Sequence, residues 1–282
     1  MRSRLIVAIG DLHGDFDSAM RTFRMAGVVD EKLHWAGGSE MIFVQTGDIV
    51  DRGPDTIRLY TTLERLRQEA EEAGGEVIQV LGNHELMNLA GDLRYVTPED
   101  TASFGGAESR AAAFTPTGFI GRHLFPLDLV HRVDRTIFAH GGINEDWAKV
   151  GALEINEETH RELPKYAREK DLMKQWQGWP IFAETGPAWY RGFALDPEAV
   201  MCPRLRRALR RLGVERMVVG HTFQESGRIL SRCGGRFIVI DVGISRAYGG
   251  FAAALHIHSN GTVKAIYPSG QVDHTMKKDR KG

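Results

Sequence analysis

Leu5-Ile6-Val7-Ala8-Ile9 runs directly into Gly10-Asp11-Leu12-His13-Gly14, and the reading of this stretch decides the fold. Five apolar residues, rich in β-branched side chains, suit a buried strand; a helix needs at least about 10 to 12 residues. The pattern recurs. Residues 41–44 precede Gly47-Asp48, 77–81 precede Gly82-Asn83-His84-Glu85, and Thr136–Ala139 precedes His140-Gly141-Gly142. Residues 217–219 precede Gly220-His221-Thr222, and 237–240 precede Asp241-Val242-Gly243. Between these runs the apolar period becomes helical. Residues 16–26 follow the first run, and 54–72 carry Leu59, Leu63 and Leu66 at helical spacing before Gly74-Gly75. Residues 164–176 and 203–212 read as two further helices, with 204–211 as a solvated, Arg-rich face ending at Gly213. Strands alternating with helices predict an α/β fold.

Near the end the character changes. Residues 252–258 and 262–267 flank Ser259-Asn260-Gly261, a hairpin signal. Residues 1–270 are expected to form one domain, with 87–115 as a cap or substrate loop and 271–282 as a polar, frayed tail.

The chain has 282 residues, 42% apolar and 26% charged, which excludes a fibrous or wholly disordered protein. Lys and Arg number 36 against 37 Asp and Glu, a net charge of −1, so no global field draws it to nucleic acid. Glycine supplies 32 residues, roughly 11% against an average of ~7%, and many stand beside Asp or His. Cys202 and Cys233 are too few for a disulfide scaffold and are expected as two separate thiols. The first apolar run is too short for a signal or membrane segment, so the expectation is a cytoplasmic chain without a membrane partner.

Open α/β sheets bind ligands beyond the carboxyl ends of their strands. Here each such end delivers a potential metal ligand: Asp11 and His13, Asp48, Asn83 and His84, His140, and His221. Singly, each is an ordinary turn or core residue; five coincidences at the same strand end are not. Oxygen donors mixed with imidazoles suit Mn²⁺, Fe²⁺ or Zn²⁺ better than Ca²⁺, with Mn²⁺ expected first, and the lack of thiolates argues against structural zinc. Asn83 and His84 are adjacent and need not both be ligands; the six that remain exceed one tetrahedral ion's needs and fit two ions about 3.5–4 Å apart, sharing a carboxylate. Asp48, central in chain order, is the expected bridge. A hydroxide held between the ions would be a nucleophile at neutral pH. Asp51-Arg52 follows closely, and Arg191 sits in Trp189-Tyr190-Arg191-Gly192. An arginine beside a metal cluster is repelled unless an anion lies between them, and its fork matches phosphate oxygens. Phe104, Trp147, Trp179, Trp189, Tyr190 and Tyr248 are candidates to line an aromatic-accepting cleft.

The array Gly10-Asp11-Leu12-His13-Gly14, Gly47-Asp48-Ile49-Val50-Asp51-Arg52-Gly53 and Gly82-Asn83-His84-Glu85 resembles the phosphoprotein phosphatase family of metallophosphoesterases. His140-Gly141-Gly142 and Gly220-His221 are similar to its later metal-histidine motifs, so the likeness runs from residue 10 to about 243. Asn88-Leu89-Ala90-Gly91-Asp92-Leu93-Arg94-Tyr95-Val96-Thr97 and Gly186-Pro187-Ala188-Trp189-Tyr190-Arg191-Gly192 resemble its Shewanella-like phosphatase branch, which is bacterial with plant and protist relatives. The resemblance implies an αβ sandwich of two mixed sheets flanked by helices, with two metals in strand-end loops. It implies that Asp11, His13 and Asp48 hold one ion, and Asp48, Asn83, His140 and His221 the other. His84 becomes the general acid, oriented by Asp51. Arg52 and Arg191, with Asn83 and Tyr190, become the substrate-binding set. The implied substrate is a phosphorylated protein or small phosphoester, phosphotyrosine ahead of phosphoserine and phosphothreonine. Where eukaryotic Ser/Thr phosphatases carry a Tyr-containing C-terminal loop, this chain has Asp241-Val242-Gly243-Ile244-Ser245-Arg246, so their toxin sensitivity and Ser/Thr preference do not carry over.

Three other readings stay open on the sequence: a bis(nucleosyl)tetraphosphatase sharing much of the motif set, a nuclease, and a non-enzymatic metal-binding module. The net charge of −1 speaks against the nuclease. The clustered Arg and His speak against the module, which has no need of them.

Overall fold

The computed structural model describes residues 4–169 and 171–276. In chain order its strands are β1 (Leu5–Ile9), β2 (Met41–Gln45), β3 (Glu76–Gln79), β4 (Val130–Val133), β5 (Thr136–Ala139), β6 (Arg216–Val219), β7 (Leu230–Arg232), β8 (Phe237–Val239), β9 (Ala254–Ile257), β10 (Val263–Tyr267) and β11 (Gly270–Asp273). The helices are α1 (Phe16–Met25), α2 (Thr56–Ala73), α3 (Asn83–Ala90), α4 (Pro98–Ser103), α5 (Ala107–Ala113), α6 (Gly121–Leu124), α7 (Glu145–Val150), α8 (Ala152–Tyr166), α9 (Leu172–Gly178), α10 (Gly192–Leu195) and α11 (Glu198–Leu212).

Two mixed sheets result, ordered β11-β10-β9-β1-β2-β3 and β4-β5-β6-β8-β7. In the first, β1, β2 and β3 are parallel. In the second, β5, β6 and β8 are parallel. These central strands are covered on both faces, so they read as continuous apolar runs; all of β2, β5 and β6 is buried. One hydrophobic core joins both sheets and the helices on them, with Phe43, Phe138 and Phe237 fully buried. The α/β expectation of two mixed sheets flanked by helices holds. Leu59, Leu63 and Leu66 are the buried stripe of α2, and Gly74 closes it at φ 81°. Residues 252–258 and 262–267 supply β9 and β10, paired antiparallel.

Four expectations are corrected. The helix expected over 164–176 is two: Pro164 lies in the last turn of α8, and Asp171 starts α9 by accepting hydrogen bonds from Met173 N and Lys174 N. The Arg-rich helix begins earlier, at Glu198, with Pro203 inside α11, and its face is not wholly solvated because Arg204 and Arg207 both pair with Glu145. The polar tail expected from Gln271 begins inside a strand: β11 pairs antiparallel with β10 through backbone groups, which polar side chains do not prevent. Residues 277–282 of that tail lie outside the described residues. Cys202 and Cys233 are joined in a disulfide, because α11 packs against the turn after β7 and sets their Cα atoms 5.6 Å apart. Among the described residues no helix is long and apolar enough to cross a membrane.

Candidate active site

The carboxyl ends of six strands converge on one cleft of about 510 Å³. β1 delivers Asp11 and His13, β2 Asp48, β3 the start of α3 with Asn83 and His84, β5 His140, β6 His221, and β8 Asp241. The backbone is bent to do this. His13, Asp48, Asp51, Arg52 and His221 have φ between 43° and 70°, a region non-glycine residues enter at a cost usually met at functional sites. The approach is close enough that glycine is required next to the ligands. A Cβ on Gly82 would collide with Asp48 Oδ1 and the Asp48 nitrogen, and one on Gly220 with Asp11 Oδ1.

Glu85 fixes the Asp48 loop from beneath. Its carboxylate accepts from the nitrogens of Asp48 (2.8 Å), Ile49 (2.8 Å) and Gly82 (2.9 Å). Asp48 Oδ1 in turn accepts from the His84 backbone N–H at 2.9 Å. The histidines are oriented by backbone carbonyls. His140 Nδ1 donates to Thr46 O (2.7 Å), His13 Nδ1 to Val50 O (3.2 Å), and His221 Nε2 to Trp189 O (3.0 Å). A carbonyl can only accept, so in the neutral ring the other nitrogen of each is a free lone pair. For His140 that lone pair lies 2.9 Å from Asn83 Oδ1 and 3.2 Å from Asp48 Oδ2. Three acceptors facing one another with no proton between them repel, and a cation among them resolves the conflict.

Two groups of ligand atoms lie within 4.8 Å of one another: His13, Asp48 and His84, and Asp48, His140 and His221. Asp48 is common to both. The electrostatics point the same way. Burial, then Asp241 and Asp48, push the Asp11 carboxyl well above its ordinary range. Burial raises Asp241 to about 6. Burial pulls His13 down to about 4 and His221 well below its usual value, so both rings are neutral and ready to coordinate. This basin of crowded carboxylates and neutral imidazoles fits divalent cations.

His84 stands apart. Its Nδ1 lies 2.6 Å from Asp51 Oδ2, and the other Asp51 oxygen accepts from Asn88 Nδ2 at 2.9 Å. Burial pulls its pKa down, but Asp48 and the Asp51 hydrogen bond outweigh that and hold it above the ordinary value. Arg52 stacks its guanidinium 4.0 Å above the Tyr95 ring, and its backbone N–H donates to Tyr95 O. Arg191, the residue before α10, reaches the same cleft, with Nη2 3.4 Å from His221 O.

Residues 4–225 match the calcineurin-like phosphoesterase family. The chain belongs to it. Shewanella-like protein phosphatase 2 of Arabidopsis thaliana is 32% identical, over 93% of this chain and 77% of that protein. An uncharacterized Schizosaccharomyces pombe protein is 40% identical, over 93% of this chain and 81% of its own. The crystal structure of a cold-active protein-tyrosine phosphatase from a psychrophilic Shewanella species aligns with a TM-score of 0.78 at 27% identity, over 96% of this chain and 80% of that one. The chain is thus a metal-dependent phosphatase of the Shewanella-like branch, and the donor set of its His/Asp basin suits a dimetal centre.

In this phosphatase the structure brings together Asp11, His13, Asp48, Asp51, Arg52, Asn83, His84, His140, Arg191 and His221. It does not bring Tyr190 with them. That side chain turns away to accept from Arg204 at 3.2 Å and to pack edge-on against Phe193, while Trp189 lines the cleft. Of the six aromatics expected there, Trp189 and Tyr248 line it, and Phe104, Trp147 and Trp179 do not. Tyr248, in the loop after Asp241, places its ring 5.0 Å from that of His13. Asp241, Glu85, Asn88 and Tyr95 were not singled out as site residues. Asp241 could have been: it ends the sixth strand run by the rule that found the others.

Proposed function

We propose that this phosphatase hydrolyses phosphomonoesters on protein side chains, phosphotyrosine ahead of phosphoserine and phosphothreonine, with His84 as the general acid. The observation that carries the reading is the Asn88–Asp51–His84 chain of hydrogen bonds beside the crowded basin. Asp11, His13 and Asp48 would hold one cation, and Asp48, Asn83, His140 and His221 the other, with Asp241 beside Asp11. Two divalent cations, Mn²⁺ first with Fe²⁺ or Zn²⁺ as alternatives, would polarise the phosphoryl oxygens and make a water nucleophilic at neutral pH.

The chain's own residues do the rest. Arg52, steadied by Tyr95, and Arg191 bind phosphoryl oxygens. His84, with Nδ1 fixed by Asp51, holds a proton on Nε2 for the departing oxygen. Trp189, Tyr95 and Tyr248 give the mouth aromatic walls that suit a phenyl ring better than a serine methylene. The likeness to the Shewanella protein-tyrosine phosphatase supports that preference. We read residues 1–270 as a single domain in which 87–115 serves as the substrate-side loop, since Tyr95 lies against both His84 and Arg52.

A comparison of kcat/KM on phosphotyrosine peptide, phosphoserine peptide and dinucleoside tetraphosphate tests the substrate. The phosphotyrosine peptide is expected to lead; a dominant tetraphosphate cleavage would replace the reading with a nucleotide hydrolase. Metal analysis after mild chelation and Mn²⁺ reconstitution is expected to give two ions per chain, because the ligand set exceeds one ion's needs. One ion per fully active chain would remove Asp48 as a bridge. Asp48→Asn is expected to bring the content below two.

A further inference from the structure

The end of α3, at Asn88 and Leu89, lines a second cavity of about 340 Å³ that shares no lining residue with the catalytic cleft. Its walls are mostly apolar, with Leu93, Phe114 and Phe125 among them. Two deeply buried polar side chains also line it, Asn88 at 4% exposure and Arg110 at 2%. Each has an atom left over. Arg110 pairs with Asp100 at 2.8 Å, yet its Nη2 finds no partner. Asn88 spends its NH₂ on Asp51 and the His84 carbonyl, and its Oδ1 finds none. A buried orphan costs about 1–3 kcal/mol, and such groups ordinarily have a water or ligand partner. At the rim, Arg168 is exposed and makes no ion pair among the described residues.

We propose that this cavity binds a small amphipathic organic anion, an aromatic or branched apolar body carrying a carboxylate. The apolar body would fill the space between Leu93, Phe114 and Phe125, and the carboxylate would accept from the unpartnered Arg110 Nη2, with Arg168 adding its charge at the rim. The volume is at the low end of small-molecule sites, which run about 300–1,000 Å³. The site has a consequence for turnover that rests on the reading of His84 given above. Asn88 forms one wall of the cavity and also holds Asp51, so an occupant touching Asn88 alters the orientation of His84 and changes kcat without competing with substrate.

Calorimetric titration of the metal-loaded chain with 2-naphthoate, and with uncharged 2-acetylnaphthalene as control, tests the site independently of activity. One naphthoate per chain is expected, bound tighter than the control and still bound under saturating inorganic phosphate. Arg168→Glu and Ala111→Trp, both exposed positions lining the cavity, are expected to weaken it about tenfold, the effect of roughly 1.4 kcal/mol. Absence of binding, displacement by phosphate, or affinity unchanged in both variants would overturn the site. Bound naphthoate that leaves kcat unaltered would overturn the coupling through Asn88. Loss of the general-acid role of His84 would leave the binding result standing.

Discussion

His84→Asn is expected to lower kcat roughly 10²–10⁴-fold on an alkyl phosphate while leaving both metal ions in place. What sets the ring apart from the other cleft histidines is its partner: Nδ1 is committed to the Asp51 carboxylate at 2.6 Å where theirs is a backbone carbonyl, and Nε2 is left toward the cleft. On the proposed reading, a group so placed carries a proton toward a leaving oxygen. The deficit is therefore expected to shrink for a nitrophenyl ester, whose leaving group departs without protonation. Equal losses on alkyl and nitrophenyl esters would remove the assignment, and loss of metal would make His84 a ligand.

The pH profile gives a second readout of the same group. Burial alone would make His84 a weaker base, but the Asp48 and Asp51 charges reverse that and hold the imidazolium to higher pH. A general acid works only while protonated, so activity falls on the alkaline side as His84 loses its proton. Asp51→Asn removes one of the supporting charges and the hydrogen bond that goes with it. The alkaline limb is expected to move to lower pH, with the maximum rate also reduced because Nδ1 is no longer held by an anion. An unmoved limb would mean that another group sets it.

The six strand ends were legible because two independent periodicities agree there: a short β-branched run, then Gly with Asp or His. The residues that stabilise the loops were not. Glu85 is the last letter of a recognised motif, yet its job of accepting three backbone nitrogens exists only once the β2 and β3 loops are adjacent. Tyr95 reads as a loop aromatic until Arg52 lies on it. The Cys202–Cys233 bridge spans 31 residues and depends on where α11 packs, which spacing does not record. Tyr190 and Trp189 are adjacent and chemically alike, so only the chain direction at Gly186–Gly192 decided that one faces the cleft. In the sequence alone Arg191 was placed through its likeness to a family motif, not through any periodicity.

That leaves the two arginines as the sharpest test of how phosphate is held. Arg52→Ala and Arg191→Ala are each expected to reduce kcat as well as raise KM, because a phosphoryl group in transfer spreads charge over its equatorial oxygens, where a guanidinium fork meets it best. The two side chains arrive differently. Arg52 follows Asp48 by four residues at φ 68° and is fixed by Tyr95 at 4.0 Å. Arg191 comes from the far end of the chain and rests on the His221 carbonyl at 3.4 Å. Neither has a carboxylate partner within salt-bridge distance in the described residues, although Asp11, Asp48 and Asp241 lie in the same cleft. An anion between arginines and metals supplies what is missing. Arg→Lys is expected to rescue little, since a point charge does not reproduce the fork. The double variant is expected to fall short of the product of the single losses, because both groups hold one anion. Metal content stays at two in each. Steady-state kinetics with inhibition by free phosphate decides the matter: unchanged kcat and unchanged phosphate inhibition in Arg191→Ala would leave Arg52 as the phosphate clamp and Arg191 as a support for the His221 loop.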